Sequence, residues 1–74
     1  MANKPVFTRR LNRIEVAIWN NETEENIWQN ITFQRTYRDE QGAMQNTTNF
    51  RIDDLPAVAF LAAKAYDYLA SLDE

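Results

Sequence analysis

The sequence predicts an α+β fold, in which a curved antiparallel sheet of three to four strands is followed by one C-terminal helix. Two patterns predict it. Apolar and polar residues alternate along 13–19 and again along 27–38, as in strands that bury one face. From residue 54 to 72 the apolar residues recur at spacings of three and four, as on one side of a helix. The 74 residues suffice for one domain, which we expect to span 1–74.

The strands are placed by the alternation and by the polar breaks between the alternating stretches. In the first long strand Ile14, Val16 and Ile18 are expected to face the core. A polar connection, 20–26, leads to the second long strand, and the turn 39–42 contains Gly42, which can take a positive φ. The predicted strands span about 7–10, 13–19, 27–38 and 43–52.

The helix, 54–72, has a recognisable start and an unusually wide apolar side. Asp53 or Asp54 is expected to supply the N-cap oxygen, and Pro56 fits the first turn. The apolar positions cover about 220° of the circumference, more than one sheet can bury. We therefore expect a homodimer that forms through the helix, although a monomer could also leave alanines exposed. The predicted dimer interface consists of Val58, Ala62, Ala65 and Leu69.

The composition argues against an enzyme. The chain has no cysteine and no histidine, so the most easily activated nucleophile and the commonest general base are missing, as are the usual zinc ligands. It has no phosphate-binding loop and no dinucleotide-binding motif. We expect no catalytic residues, no metal and no cofactor. The sequence has no long apolar run or signal core, which predicts a cytoplasmic protein without a membrane partner.

One helix can cover only one face of the sheet, so the opposite face should carry the residues between the core positions. Two tryptophans, Trp19 and Trp28, fall on that face together with amide and hydroxyl side chains. The same counting along 43–52 adds Gln45, Thr47, Asn49 and Arg51. Aromatic rings that stack bases, beside arginines and amides, are typical of single-strand binders. The predicted nucleic-acid-binding residues are Arg9, Arg13, Trp19, Trp28, Asn30, Thr32, Gln34 and Arg51.

The charge distribution and two other interpretations bear on this prediction. The net charge is −3, but seven of the eight basic residues precede the helix, so an acidic chain can still present a basic face. Trp and Arg are also enriched at protein interfaces. Alternatively, Trp19 and Trp28 could pack across the strands and close one end of the core.

A stretch of the second half of the chain resembles a known family. Residues 31–44 form an alternating strand that ends in an aromatic residue, then an acidic turn with glycine and a methionine, and a helix opened by 53–56 follows. This pattern, over about 27–72, resembles the transcriptional coactivators of the positive-cofactor type, and Whirly-type domains use similar elements. The resemblance implies a homodimer that joins through its helices and binds single-stranded DNA on its curved sheets. The neutral segment 45–49 and the absence of an aromatic residue in 55–58 depart from that family.

Two functions are therefore predicted from different classes. The first is a homodimer that binds single-stranded DNA or RNA, with stacking and phosphate contacts on the exposed face of the sheet. The alternative is a small dimeric adaptor that binds another protein through the same face with its tryptophans. The salt dependence of binding separates them, because phosphate contacts weaken steeply as the salt concentration rises.

Overall fold

The computed structural model describes residues 4–72 and confirms the α+β fold. Four antiparallel strands form one sheet in the order of the chain, followed by a short 3-10 helix and a long α-helix. The elements are β1 (Phe7–Leu11), β2 (Ile14–Glu22), β3 (Ile27–Arg38), β4 (Met44–Thr47), the 3-10 helix (Ile52–Asp54) and α1 (Leu55–Ser71).

Each turn of the sheet is closed by residues suited to it. Asn12 takes a left-handed conformation, φ 57°, in the tight turn between β1 and β2. Between β2 and β3 the Thr23 hydroxyl accepts the Asn26 N–H at 3.1 Å. Between β3 and β4 Gly42 has φ 85°, and the Asp39 carboxylate accepts the Ala43 N–H at 2.9 Å. That bond, together with one from the Gln45 side chain, holds the pKa of Asp39 below its ordinary value.

The core lies between the sheet and α1. As the alternation predicts, Ile14, Val16 and Ile18 of β2 are buried, each at most 1% exposed. They pack against one stripe of α1, in which Leu61 is fully buried. The helix contacts β2 and β1, and Phe7 of β1 stacks on Tyr68 with ring centroids 4.7 Å apart. The helix therefore covers only the first half of the sheet. The helical residues of the core are Ala57, Leu61 and Ala65.

The ends of two strands differ from the prediction. β2 continues to Glu22, through residues assigned to a connection, because nine residues pair with β3 in unbroken register. The predicted strand 43–52 is wrong beyond Thr47. After Thr47 the chain leaves the sheet. The Asn49 carbonyl accepts a hydrogen bond from the Arg35 side chain, Nε–H, at 3.0 Å, instead of one from the backbone of a strand.

The start of the helix is also organised differently. Asp54 occupies the N-cap position of α1, but its side chain makes no capping bond to the helix. Its carboxylate instead accepts the backbone N–H of Arg51 at 2.8 Å and lies 3.4 Å from Nε of Arg35. Asp54 thus ties the segment before the helix to β3. Asp53 is exposed.

The stripe of α1 that faces the sheet is rotated from the predicted interface. Leu61, which is not among the predicted interface residues, is fully buried in the core, whereas Ala62, which is among them, is exposed. A second apolar stripe, with Leu55, Ala62 and Tyr66, is left exposed beside the sheet. Within the part of the chain that the structure describes, no helix is both long and apolar enough to cross a membrane.

We predict that Asp54→Ala lowers the free energy of unfolding by about 1–3 kcal/mol, because it removes charge-assisted bonds and leaves a half-buried arginine without its carboxylate. The matched control Asp53→Ala changes an exposed carboxylate and should stay within about 0.5 kcal/mol of the wild type. Urea denaturation followed by circular dichroism measures both values. Equal losses in the two variants would contradict the role given to Asp54.

Candidate binding face of the sheet

The strand register assigns each side chain to one of two faces. The face that carries Ile14, Val16 and Ile18 lies towards α1 and is called the helix face. The opposite face is called the open face, and no element within residues 4–72 packs across it as α1 does across the helix face. Its residues are Thr8, Arg10, Glu15, Ala17, Trp19, Asn21, Trp28, Asn30, Thr32, Gln34, Thr36, Arg38, Met44 and Asn46.

The two tryptophans lie close together on the open face but play different parts. In the register Trp19 is opposite Asn30, and Trp28 is opposite Asn21, so the two rings are diagonal neighbours. The Trp19 indole N–H donates to the Thr32 hydroxyl at 3.0 Å, and its ring is half-buried. Trp28 is 43% exposed. Trp28 is therefore the aromatic surface that a ligand can reach, and Trp19 braces the strand beside it.

Amide and hydroxyl side chains surround the tryptophans on the open face. The Thr36 hydroxyl donates to the Asn46 side-chain oxygen at 3.3 Å, which links β3 to β4. Beside this bond Gln34 and Asn46, with Thr47 and Thr48, line a shallow depression of about 320 Å³. Such groups can both donate and accept hydrogen bonds, as the edges of bases require.

The positive charges are more dispersed than the sequence predicted. Arg10 lies on the open face but is 3.7 Å from the carboxylate of Glu15. Arg13 is in the turn before β2, where its carbonyl accepts the Thr36 N–H at 2.9 Å, a register position on the open face. Arg38 ends β3 on the same face. The open face thus has an aromatic and polar centre with arginines at one end.

Five of the eight predicted binding residues come together in the strands of the open face, and the other three lie elsewhere. Arg9 is a correction: it is opposite Val16 on the helix face, and its guanidinium lies over the Phe60 ring at 5.4 Å. Arg13 lies in a turn, and Arg51 is exposed in the segment before the 3-10 helix. The five residues that share the face are Trp19, Trp28, Asn30, Thr32 and Gln34.

The face assigned to β4 was wrong for a physical reason. The bond from the Asp39 N–H to the Ala43 carbonyl closes the hairpin and sets Gln45 opposite Tyr37, on the helix face. Thr47 is also on the helix face, opposite Arg35, and Asn49 and Arg51 lie beyond the end of the strand. Sequence reasoning missed Met44 and Asn46, which occupy the open face instead. The length of the turn decides this register, and alternation within one strand does not report it.

A groove lies on the helix face, between α1 and β3. Its volume is about 270 Å³, and one wall is formed by Ile31 and Phe33 of β3. Ile31 is 43% exposed and Tyr66, on the opposite wall, is 71% exposed. The groove exists because the helix is centred on β1 and β2 and leaves this part of β3 uncovered. Its lining side chains are apolar. The helical wall consists of Ala62, Ala65, Tyr66 and Leu69.

The predicted dimer residues are divided between the core and this groove. Ala65 is only 3% exposed and belongs to the core of its own chain, so it can offer little surface to a second chain. Val58 and Leu69 also pack partly against the core. Ala62 is exposed in the wall of the groove and is the predicted residue most accessible to a partner.

Comparisons with known proteins do not assign the chain to a family. No family model, no curated protein and no solved structure matches it. Within residues 4–72 no group of three or more acidic side chains is placed to hold a metal ion.

Proposed function

We propose that the protein is a non-catalytic homodimer that binds single-stranded nucleic acid on the open face. The observation that carries this proposal is the exposed Trp28 ring on the same face as the side chains of Asn30, Thr32 and Gln34. An indole ring is a sequence-tolerant platform for an unstacked base. The neighbouring amides and hydroxyls can then bond to base edges or sugars.

The rigidity of the site supports the same function. The Trp19–Thr32 bond and the Gln29–Asn20 side-chain bond, at 3.2 Å, join β2 to β3 on the two faces of the same strand pair. The strand that carries Trp28 is therefore held in place before a ligand arrives. A preformed platform loses less conformational entropy on binding than a mobile loop would.

Few cations contribute, and this predicts a modest dependence on salt. Arg13 and Arg38 are the arginines of the open-face side that form no ion pair within residues 4–72. Two phosphate contacts would give a slope of log K against log salt of about −1.4 for a single strand. Stacking then supplies most of the affinity.

The alternative function, a dimeric adaptor for another protein, is favoured by the same scarcity of charge. The centre of the open face, around Trp28, carries no charged side chain, and Arg10 at its end is paired with Glu15. An exposed tryptophan is a common anchor of protein interfaces. This function would be supported if the protein bound another protein with an affinity that does not depend on salt and showed no affinity for oligonucleotides.

The proposed homodimer is supported by the exposed surface area of the chain, which is larger than that of a compact monomer of the same mass. The protein exposes 6056 Å², whereas a folded monomer of 8.7 kDa exposes roughly 4,700 Å². The radius of gyration, 14.3 Å, also exceeds the value of about 11 Å for a compact chain of this length. The excess area, on the order of 1,000 Å², is similar to the roughly 800 Å² that each partner buries in a standard interface. The groove and the exposed stripe of α1 are the apolar part of that surface.

We predict that Trp28→Ala weakens binding of a single-stranded oligonucleotide by about 1–3 kcal/mol, because one stacked base is lost. Phe60→Ala is the matched control, since it removes a 40% exposed aromatic ring of α1 that lies neither on the open face nor in the groove. Fluorescence anisotropy with a labelled oligothymidine at 50 and 200 mM salt measures both. Absence of binding by the wild type at 50 mM salt, or equal losses in the two variants, would contradict the proposal.

We predict that the wild type sediments as a dimer at micromolar concentration. Ala62→Glu should raise the dissociation constant at least tenfold, since it places a carboxylate in the apolar wall of the groove. Ala63→Glu is the matched control, because Ala63 is an exposed neighbour that does not line the groove. Sedimentation equilibrium measures the three constants. A monomeric wild type would remove the dimer from the proposal, whatever the result with oligonucleotides.

A further inference from the structure

Among the residues that the structure describes, the sheet has a long backbone edge without a partner strand. β3 extends from Ile27 to Arg38, but β4 pairs only with its last four residues, Arg35–Arg38. No strand among residues 4–72 pairs with the outer side of 27–34, and this stretch is called the free edge. An unpaired edge offers N–H and C=O groups to any compatible strand.

The hydrogen bonds of the sheet identify which groups point outward. The Thr36 N–H donates to the Arg13 carbonyl, towards β2, whereas the Asp39 N–H donates to the Ala43 carbonyl, towards the β4 side. Because these directions alternate along a strand, the even residues of β3 bond to β2 and the odd residues face the other way. The outward groups of the free edge belong to Ile27, Gln29, Ile31 and Phe33.

The free edge lacks the devices that protect exposed strands. It contains no charged residue and no proline, and the side chain of Ile27 is 69% exposed. At the opposite edge of the sheet, β1 is five residues long and carries Arg9 and Arg10. Charges and short length are the usual protection of an edge, so β1 is protected and β3 is not. This asymmetry indicates that the edge of β3 is used.

We propose that the free edge pairs with the same edge of a second copy of this chain, antiparallel and about a two-fold axis at Asn30. In this register Ile27 is opposite the partner's Phe33, and Gln29 is opposite the partner's Ile31. All the outward groups of both edges then meet, giving about eight backbone hydrogen bonds. A shift of the axis to residue 29 or 31 leaves some of these groups without partners. An identical edge is thus complementary to itself, as a two-fold interface requires.

On the helix face the proposed edge pairing also brings apolar side chains together, because the free edge borders the groove. Ile31 and Phe33 belong both to the free edge and to the wall of the groove. In this register a partner strand brings the partner's Ile27 against Phe33 and the partner's Ile31 diagonally beside Ile31. The excess surface of the chain is of the size that such a contact buries. On the opposite side the two open faces join into one sheet that continues across the axis. This inference rests on the homodimer of the proposed function and is independent of nucleic acid.

A single cysteine tests the register directly, because the natural chain has none. In Asn30→Cys the two thiols meet at a pair whose Cα atoms are about 4.5 Å apart, within the range for a disulfide. In the control Gln34→Cys, on the same face, the two Cα atoms would be roughly 27 Å apart. Under mild oxidation Asn30→Cys should form covalent dimers at least tenfold faster than Gln34→Cys, as measured on non-reducing gels. Equal rates would overturn the proposed pairing.

A pair of identical substitutions tests whether the edge holds the dimer. Ile27→Lys places a charge at the free edge, whereas Ile52→Lys makes the same change at an 81% exposed isoleucine in the 3-10 helix. Ile27→Lys should raise the dimer dissociation constant at least tenfold, and Ile52→Lys should leave it unchanged. Circular dichroism checks that both variants fold. A wild-type dimer that survives Ile27→Lys and does not crosslink at Asn30→Cys would overturn the edge pairing alone, whereas a monomeric wild type would also overturn the homodimer.

Discussion

The contact between three β-branched residues of β2 and one stripe of α1 determines the layout of the molecule. Ile14, Val16 and Ile18 are buried against Ala57, Leu61 and Ala65, and small alanines on either side of one leucine let the helix lie close to the sheet. Because β2 is the second strand, this contact centres α1 over β1 and β2. The uncovered part of β3, the groove and the free edge all follow from that position.

The exposure of the open face and that of the edge of β3 have the same cause, which is that the sheet is packed against only one helix. A single helix can bury one side of a sheet about two strands wide, and this sheet has four strands with two sides. The remaining polar side, with Trp28 and its amides, is suited to a ligand. The remaining apolar side, with Ile31 and Phe33, is suited to a second chain. A dimer would thus complete the core and extend the binding face at once.

Sequence reasoning predicted what depends on local periodicity and missed what depends on register. The alternation in 13–19 located the core strand, and the same counting brought Trp19 and Trp28 to one face. The predicted face of β4 was wrong because the hairpin turn sets its register. The predicted face of Arg9 was wrong because the turn at Asn12 sets the register of β1, with Arg9 opposite Val16. The helical periodicity found a wide apolar arc, but which part of it faces the sheet depends on how Leu61 packs.

Amide hydrogen exchange at the outer edges of the sheet tests the central claim most directly, namely that the uncovered edge of β3 is completed by a second chain. The N–H groups of Gln29, Ile31 and Phe33 have no partner strand within residues 4–72, and those of Thr8 and Arg10 point outward from β1 in the same way. We predict slow exchange for the β3 group at concentrations where the dimer forms, and fast exchange for the β1 group throughout. Equally fast exchange of both groups at every concentration would contradict the account.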